Sequence, residues 1–172
     1  MPPEIETLWL ADDGLVPNNA AVPARIYRGC LPAGPGAEAD IEALFAANGW
    51  SNAWVDGIYP FHHYHATVHE VLGLARGGVR LQLGGPSGPV LALRAGDGVL
   101  IPAGVGHCCL EAGPDLTVVG AYPGGAGWDL VRATPDARAA AITRISAVPP
   151  PATDPILGAT RPVAAPPSPP RR

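Results

Sequence analysis

The chain has 172 residues, of which 22 are glycine and 22 proline, about a quarter of the total. That share reaches the range of low-complexity chains, but 47% hydrophobic residues, 15% charged residues and a net charge of −4 exclude general disorder. A pI near 5.6 with scattered arginines leaves no basic stripe for nucleic acid and no polybasic membrane patch, and no run approaches the ~20 apolar residues of a membrane span.

The length suits one domain. All eleven cationic residues are arginine, a compositional bias with no functional reading. Met1 to Asp13 carries two glutamates, two aspartates and no positive charge, so it lacks the basic start of a signal peptide. Cys30, Cys108 and Cys109 form no disulfide framework. That usage suits a reducing cytoplasm, the expected compartment.

In chain order, residues 1–50 read as an N-terminal arm ending in a helix. The helix is predicted over Ala37 to Asn48, with Ile41, Leu44 and Phe45 at helical spacing and Gly49 closing it. Residues 51–130 hold short apolar runs at 71–74, 79–83, 90–93, 99–101 and 116–121, separated by glycine- and proline-rich turns. Such strands at roughly ten-residue spacing predict an all-β sandwich or barrel. A second, alanine-rich helix is predicted at Pro135 to Ile145, within 131–146, behind Thr134 as N-cap. Residues 147–172 carry nine of the prolines and read as an extended tail, mobile beyond about Gly158. A Pro-rich ligand for a partner domain is the alternative for that tail.

All five histidines fall in two places: His62, His63, His65 and His69 within eight residues, and His107 about forty further on. In an extended segment His63 and His65 share a face, as two metal ligands must. Glu70 adds a carboxylate, and His107 follows the Pro102–Gly106 turn. Three imidazoles and one carboxylate suit a borderline divalent metal: Fe, Mn, Ni, Cu or Zn.

These residues resemble the two motifs of the cupins. The first reads Gly57, five residues, His63-Tyr64-His65, Glu70 and Gly77. The second reads Gly96, Pro102-Ala103-Gly104 and His107, with Glu111 where the family has asparagine. The match covers Gly57 to Glu111, and local stretches around 61–65, 69–73 and 119–123 are similar to small single-domain bacterial cupins. The resemblance implies a cupin-type β-barrel, or jelly roll, with one helix before it and one after. It also implies a single divalent metal on His63, His65, Glu70 and His107. Four protein ligands on an octahedral ion would leave two positions for water, substrate or dioxygen.

Other residues carry open alternatives. His62 and His69 have the strand parity of outward residues, although a bend at Ala66-Thr67 would bring His69 to the metal as ligand or acid/base group. His69 is therefore the catalytic candidate. Cys109, Tyr122 and Gln82 are pocket candidates, against core packing for Cys109 and Tyr122; the face of Arg80 and Gln82 is open. Phe45, Trp50, Trp54, Tyr59, Phe61 and Tyr64 either line a barrel mouth or seal the helix on the sheet. The leading expectation is a metal-dependent small-molecule enzyme with dioxygenase or isomerase-type chemistry. The alternative is a non-catalytic module that binds metal and a small ligand for sensing or structure. A small-molecule ligand is expected as partner, and a homodimer is possible, with the segment before Ala37 crossing to a neighbouring barrel.

Overall fold

The computed structural model describes residues 2–159. The strands are β1 (Glu4–Leu8), β2 (Ala24–Arg28), β3 (Trp50–Asp56), β4 (His63–Tyr64), β5 (Glu70–Arg76) and β6 (Gly78–Leu83). They continue as β7 (Val90–Arg94), β8 (Gly98–Ile101), β9 (His107–Ala112), β10 (Thr117–Pro123) and β11 (Val131–Arg132). Helix α1 spans Ala37–Ala47 and α2 spans Pro135–Ser146. Two antiparallel sheets result, ordered β1-β2-β8-β5-β10-β3 and β11-β4-β9-β6-β7. Most sheet neighbours are distant in sequence, the crossover pattern of a jelly roll. The expected all-β jelly roll with flanking helices is the fold observed.

Period-two alternation sorts the core. Leu72 and Leu74 of β5, Val99 and Ile101 of β8 and Val118 of β10 meet Leu81, Leu83 and Leu93 between the sheets. Val71, Ala75, Leu100, Val119 and Ala121 point the other way, toward Ile41 and Phe45 of α1. Full burial of Ile41 and Phe45 contributes about 1.5–3 kcal/mol each. On the other sheet, Tyr64 and Val131 pack on Ala141 and Ile145 of α2.

Two regions differ from the sequence expectation. The barrel is not confined to 51–130, because β1 and β2 complete one end of the six-stranded sheet. No alternation marks β2, since both its faces are buried and Arg25 sits on one of them. In this single chain β1 pairs with its own β2. The described part of the Pro-rich tail, 147–159, docks on the barrel instead of standing free. Asp154 accepts from Arg25 at 3.0 Å and from Tyr27 at 2.6 Å. Thr153 Oγ1 donates to the Asn48 carbonyl, and Asn48 Nδ2 donates to that of Pro155. The predicted mobility beyond Gly158 falls almost wholly outside the described residues.

Candidate metal centre

The site lies at one end of the space between the sheets. His63 of β4 and His107 of β9 are direct cross-strand partners, so their ring centroids lie 4.0 Å apart. His65 follows β4 and Glu70 opens β5 on the opposite sheet, sharing the inward face with Leu72. The turn before His107 requires Gly104, which has φ +84°. A Cβ there would stand 2.6 Å from the Asn18 carbonyl oxygen. Ligand atoms of His65, Glu70 and His107 all lie within 4.8 Å of one another. Glu70 Oε2 is 3.2 Å from His65 Nε2 and 3.4 Å from His107 Nε2. His63 stands beside this trio, its ring 6.1 Å from that of His65.

The second nitrogen of each ring fixes the tautomer. His63 Nδ1 donates to the Phe61 carbonyl at 2.8 Å, and His107 Nδ1 to the Val105 carbonyl at 3.1 Å. His65 Nδ1 donates to the carbonyl of Asp129. A carbonyl can only accept, so each neutral ring carries its proton on Nδ1 and a lone pair on Nε2. Toward Glu70, each Nε2 of His65 and His107 then has two options: to take up a proton and donate to the carboxylate, or to offer its lone pair to a cation held with that carboxylate. Burial pushes His63 down to about 3, helped by the neighbouring His107. Burial acts the same way on His65, but hydrogen bonding and charge from Glu70 outweigh it, and its pKa rises. For Glu70, burial works upward, yet the hydrogen bonds and charges of His107 and His65 hold it well below the carboxylate range. The donor set therefore fits a divalent cation, which would serve all three rings in their neutral form.

The other carboxylate oxygen is already engaged. Tyr122 donates its hydroxyl to Glu70 Oε1 at 2.9 Å and accepts from Trp54 Nε1 at 2.8 Å. Burial and the Glu70 charge raise the Tyr122 pKa, so it stays a donor. Gly120, paired with Trp54 across β10 and β3, makes room for the indole. A Cβ at Gly120 would fall 2.1 Å from that ring.

Tyr122 thus lines the pocket; three other candidates do not. His69 is buried outside the pocket, donating through Nε2 to the Pro149 carbonyl at 2.7 Å and accepting at Nδ1 from Ala103 N–H at 2.9 Å. Both nitrogens are occupied, because strand parity turns His69 away from the face of Glu70. Gln82 turns to the β6–β7 hairpin, its amide donating to the carbonyls of Pro86 and Gly88. Cys109 packs in the core between the sheets, as a small apolar residue, and is not part of the lining. His62 also stays off the lining. Glu111, in the position of the motif asparagine, is exposed beside an exposed Arg80, 3.7 Å away. The six clustered aromatics divide: Phe45 and Trp50 seal α1, Tyr64 packs under α2, and Trp54 and Tyr59 line the pocket. Phe61 stacks on Tyr59.

Two contributors were missed. Asp129 holds His65 through its carbonyl, while its carboxylate accepts from the backbone of Ala66 and Thr67. Trp128, beside it, presents its ring 5.6 Å from His65 and lies nearly parallel to Tyr122, at 6.4 Å and 18°. The available signal was a tryptophan-aspartate pair ending the glycine run 124–127. The pocket in front of the site holds about 330 Å³ and is walled by Trp54, Ile58, Tyr59, Leu72, Tyr122 and Trp128.

No family model matches the chain. The Uncharacterized protein YjlB of Bacillus subtilis (strain 168) is 40% identical over 160 residues, 93% of this chain and 94% of that protein. Among solved structures the chain is similar to acireductone dioxygenase from Bacillus anthracis with cadmium ion in its active center. That match has 16% identity over 54% of this chain and 62% of that one, TM-score 0.39. DMSP lyase DddQ from Ruegeria pomeroyi DSS-3 is 14% identical over 78% of this chain and 53% of that one, TM-score 0.39. The chain spans less than two thirds of each of these two solved chains.

Proposed function

The chain belongs to the family of Bacillus subtilis YjlB and resembles the cupins in both motifs, and on that premise we propose a metal-dependent enzyme acting on a small organic molecule. One observation carries the proposal: imidazole lone pairs and a carboxylate oxygen converge at the base of an open pocket, with every Nδ1 held by a backbone carbonyl. His65, Glu70 and His107 would hold the ion, with His63 as the fourth ligand.

A bound divalent ion would supply Lewis acidity and, if redox-active, dioxygen chemistry, so dioxygenase and isomerase activities are the leading classes. The chain's own residues bind, orient and exclude water. Tyr122 and Trp54 lock one Glu70 oxygen and leave the other for the ion. Leu72 and the aromatic walls give the pocket mostly apolar sides. His69 is no longer an acid/base candidate, since neither of its nitrogens is free.

A second reading, a non-catalytic binding module, draws on the lining: beyond the ligands, it offers, among the described residues, only the hydroxyls of Tyr59 and Tyr122 and the carboxylate of Asp56 for proton transfer. Two measurements separate the readings. Azide added to cobalt-loaded protein should shift its visible bands if the metal has exchangeable positions. Iron(II)-loaded protein should take up oxygen with at least one of a broad substrate panel, or an isomerase assay should turn over. A cobalt spectrum indifferent to azide would contradict the enzyme.

A further inference from the structure

The charge and shape of the pocket narrow what it accepts. We propose that its ligand is a small aromatic molecule with one oxygen-donor head at the metal and no second anionic group. This rests on the metal-dependent reading above and names the substrate class for the same site.

Three observations support it. First, the walls are rings and aliphatic groups: Trp54, Tyr59, Tyr122 and Trp128, with Ile58 and Leu72. Aromatic pairs add specific attraction beyond burial, in offset-stacked or edge-on arrangements. Trp128, at the cavity mouth, is 45% exposed, so its ring face is available to a ligand. It rests nearly parallel to Tyr122 and edge-on to His65.

Second, among the described residues no arginine is part of the lining, and the chain contains no lysine. Arg132 is engaged over the face of Phe61, 3.8 Å from its centroid, and is not a lining residue. The charged lining residues other than the histidines are Glu70 and Asp56, both carboxylates. A divalent ion against one carboxylate and neutral imidazoles leaves a net positive charge at the base. One anionic head is welcome there. A carboxylate or phosphate on the other end of the ligand would meet apolar rings and Asp56 with no cation to pair, a costly desolvation.

Third, the volume of about 330 Å³ is at the small end of ligand pockets. It suits a compound of one ring, or two fused rings, and not a nucleotide or an extended chain.

The test holds the metal-binding head constant and varies the tail. Cobalt-loaded full-length protein, with its metal content measured, is titrated with acetohydroxamate, benzohydroxamate and the monohydroxamate of succinic acid. The visible cobalt bands and tryptophan fluorescence report binding. Benzohydroxamate should bind at least ten-fold tighter than acetohydroxamate, and the carboxylate-tailed compound no tighter than acetohydroxamate. Trp128→Ala should reduce the benzo-to-aceto ratio to under three-fold, while Trp128→Phe should retain most of it. Equal affinity of the phenyl and methyl compounds, or tightest binding by the carboxylate tail, would overturn the aromatic assignment while leaving the metal enzyme intact. If none of the three perturbs a stoichiometrically loaded site, the open metal centre itself fails and this assignment with it.

Discussion

A carboxylate with both oxygens free can grip a cation through either one or both, and Tyr122 removes that choice for Glu70. Its hydroxyl occupies Oε1, leaving Oε2 toward His65 and His107. Tyr122→Phe keeps the ring and deletes only this hydrogen bond. Partners that orient a ligand in this way cost about 10–100-fold in metal affinity when lost, so competition with a chelator should show a drop of that order. Unchanged affinity would make Tyr122 a mere wall of the pocket. Gly120 acts one step further out. Gly120→Ala drives a methyl into the Trp54 indole. Overpacking of this kind costs about 1–3 kcal/mol, and thermal denaturation should show it together with weaker metal binding. The histidines and Glu70 could be read from sequence because strand alternation and two fixed motifs place them. Trp128 and Asp129 could not, because a loop with no periodicity brings them to His65. His69 and Gln82 were misjudged as site residues because one position along a strand, or one hairpin nearby, redirects a polar side chain.

The C-terminal segment around Pro149 to Ile156 works as a strap at the scale of elements. Asp154 bonds Arg25 and Tyr27 on the outer face of β2 and receives the backbone N–H groups of Ile156 and Leu157. Both partners of the ion pair are buried, with 9% and 1% of their side chains exposed. Removing one member of a buried pair leaves an uncompensated charge, at a cost of about 3–5 kcal/mol. Asp154→Ala should therefore lower unfolding stability by about that much in urea titration; a change under 1 kcal/mol would show that the strap is not a structural tie. His69 connects the same strap to the turn before His107, bonding Pro149 and Ala103. His69→Ala should destabilise by about 1–3 kcal/mol through the stranded backbone groups, yet retain a full complement of metal. Loss of metal from a folded, otherwise stable variant would restore His69 to the site. A proline-rich composition reads as a free tail, and only the tertiary partners of Asp154 and Thr153 reveal its docked portion. Strands β5 to β8 and β10 were readable because their residues alternate or run apolar between turns. Strand β2 was not, since its Arg25 hides burial on both faces.

At the scale of the molecule, the two sheets bring distant motifs to one end of a shared core, and the metal would join them. His65 and His107 come from the five-stranded side, Glu70 from the six-stranded side. A ligand bound only by the folded chain stabilises it, by about 2.7 kcal/mol at a hundred times its dissociation constant. For a chain of this length each kcal/mol moves Tm by about 2–4 °C. Chelation should therefore lower Tm by roughly 5–11 °C under those conditions, and readdition of the ion should reverse it. The central claim is tested most directly by elemental analysis of protein purified without added metal, alongside His107→Ala. Close to one divalent transition-metal ion per chain in the parent, and less than a tenth of that in a folded His107→Ala, is the predicted result. A folded parent that carries no transition metal and takes none up on loading, or equal metal in both proteins, would contradict it.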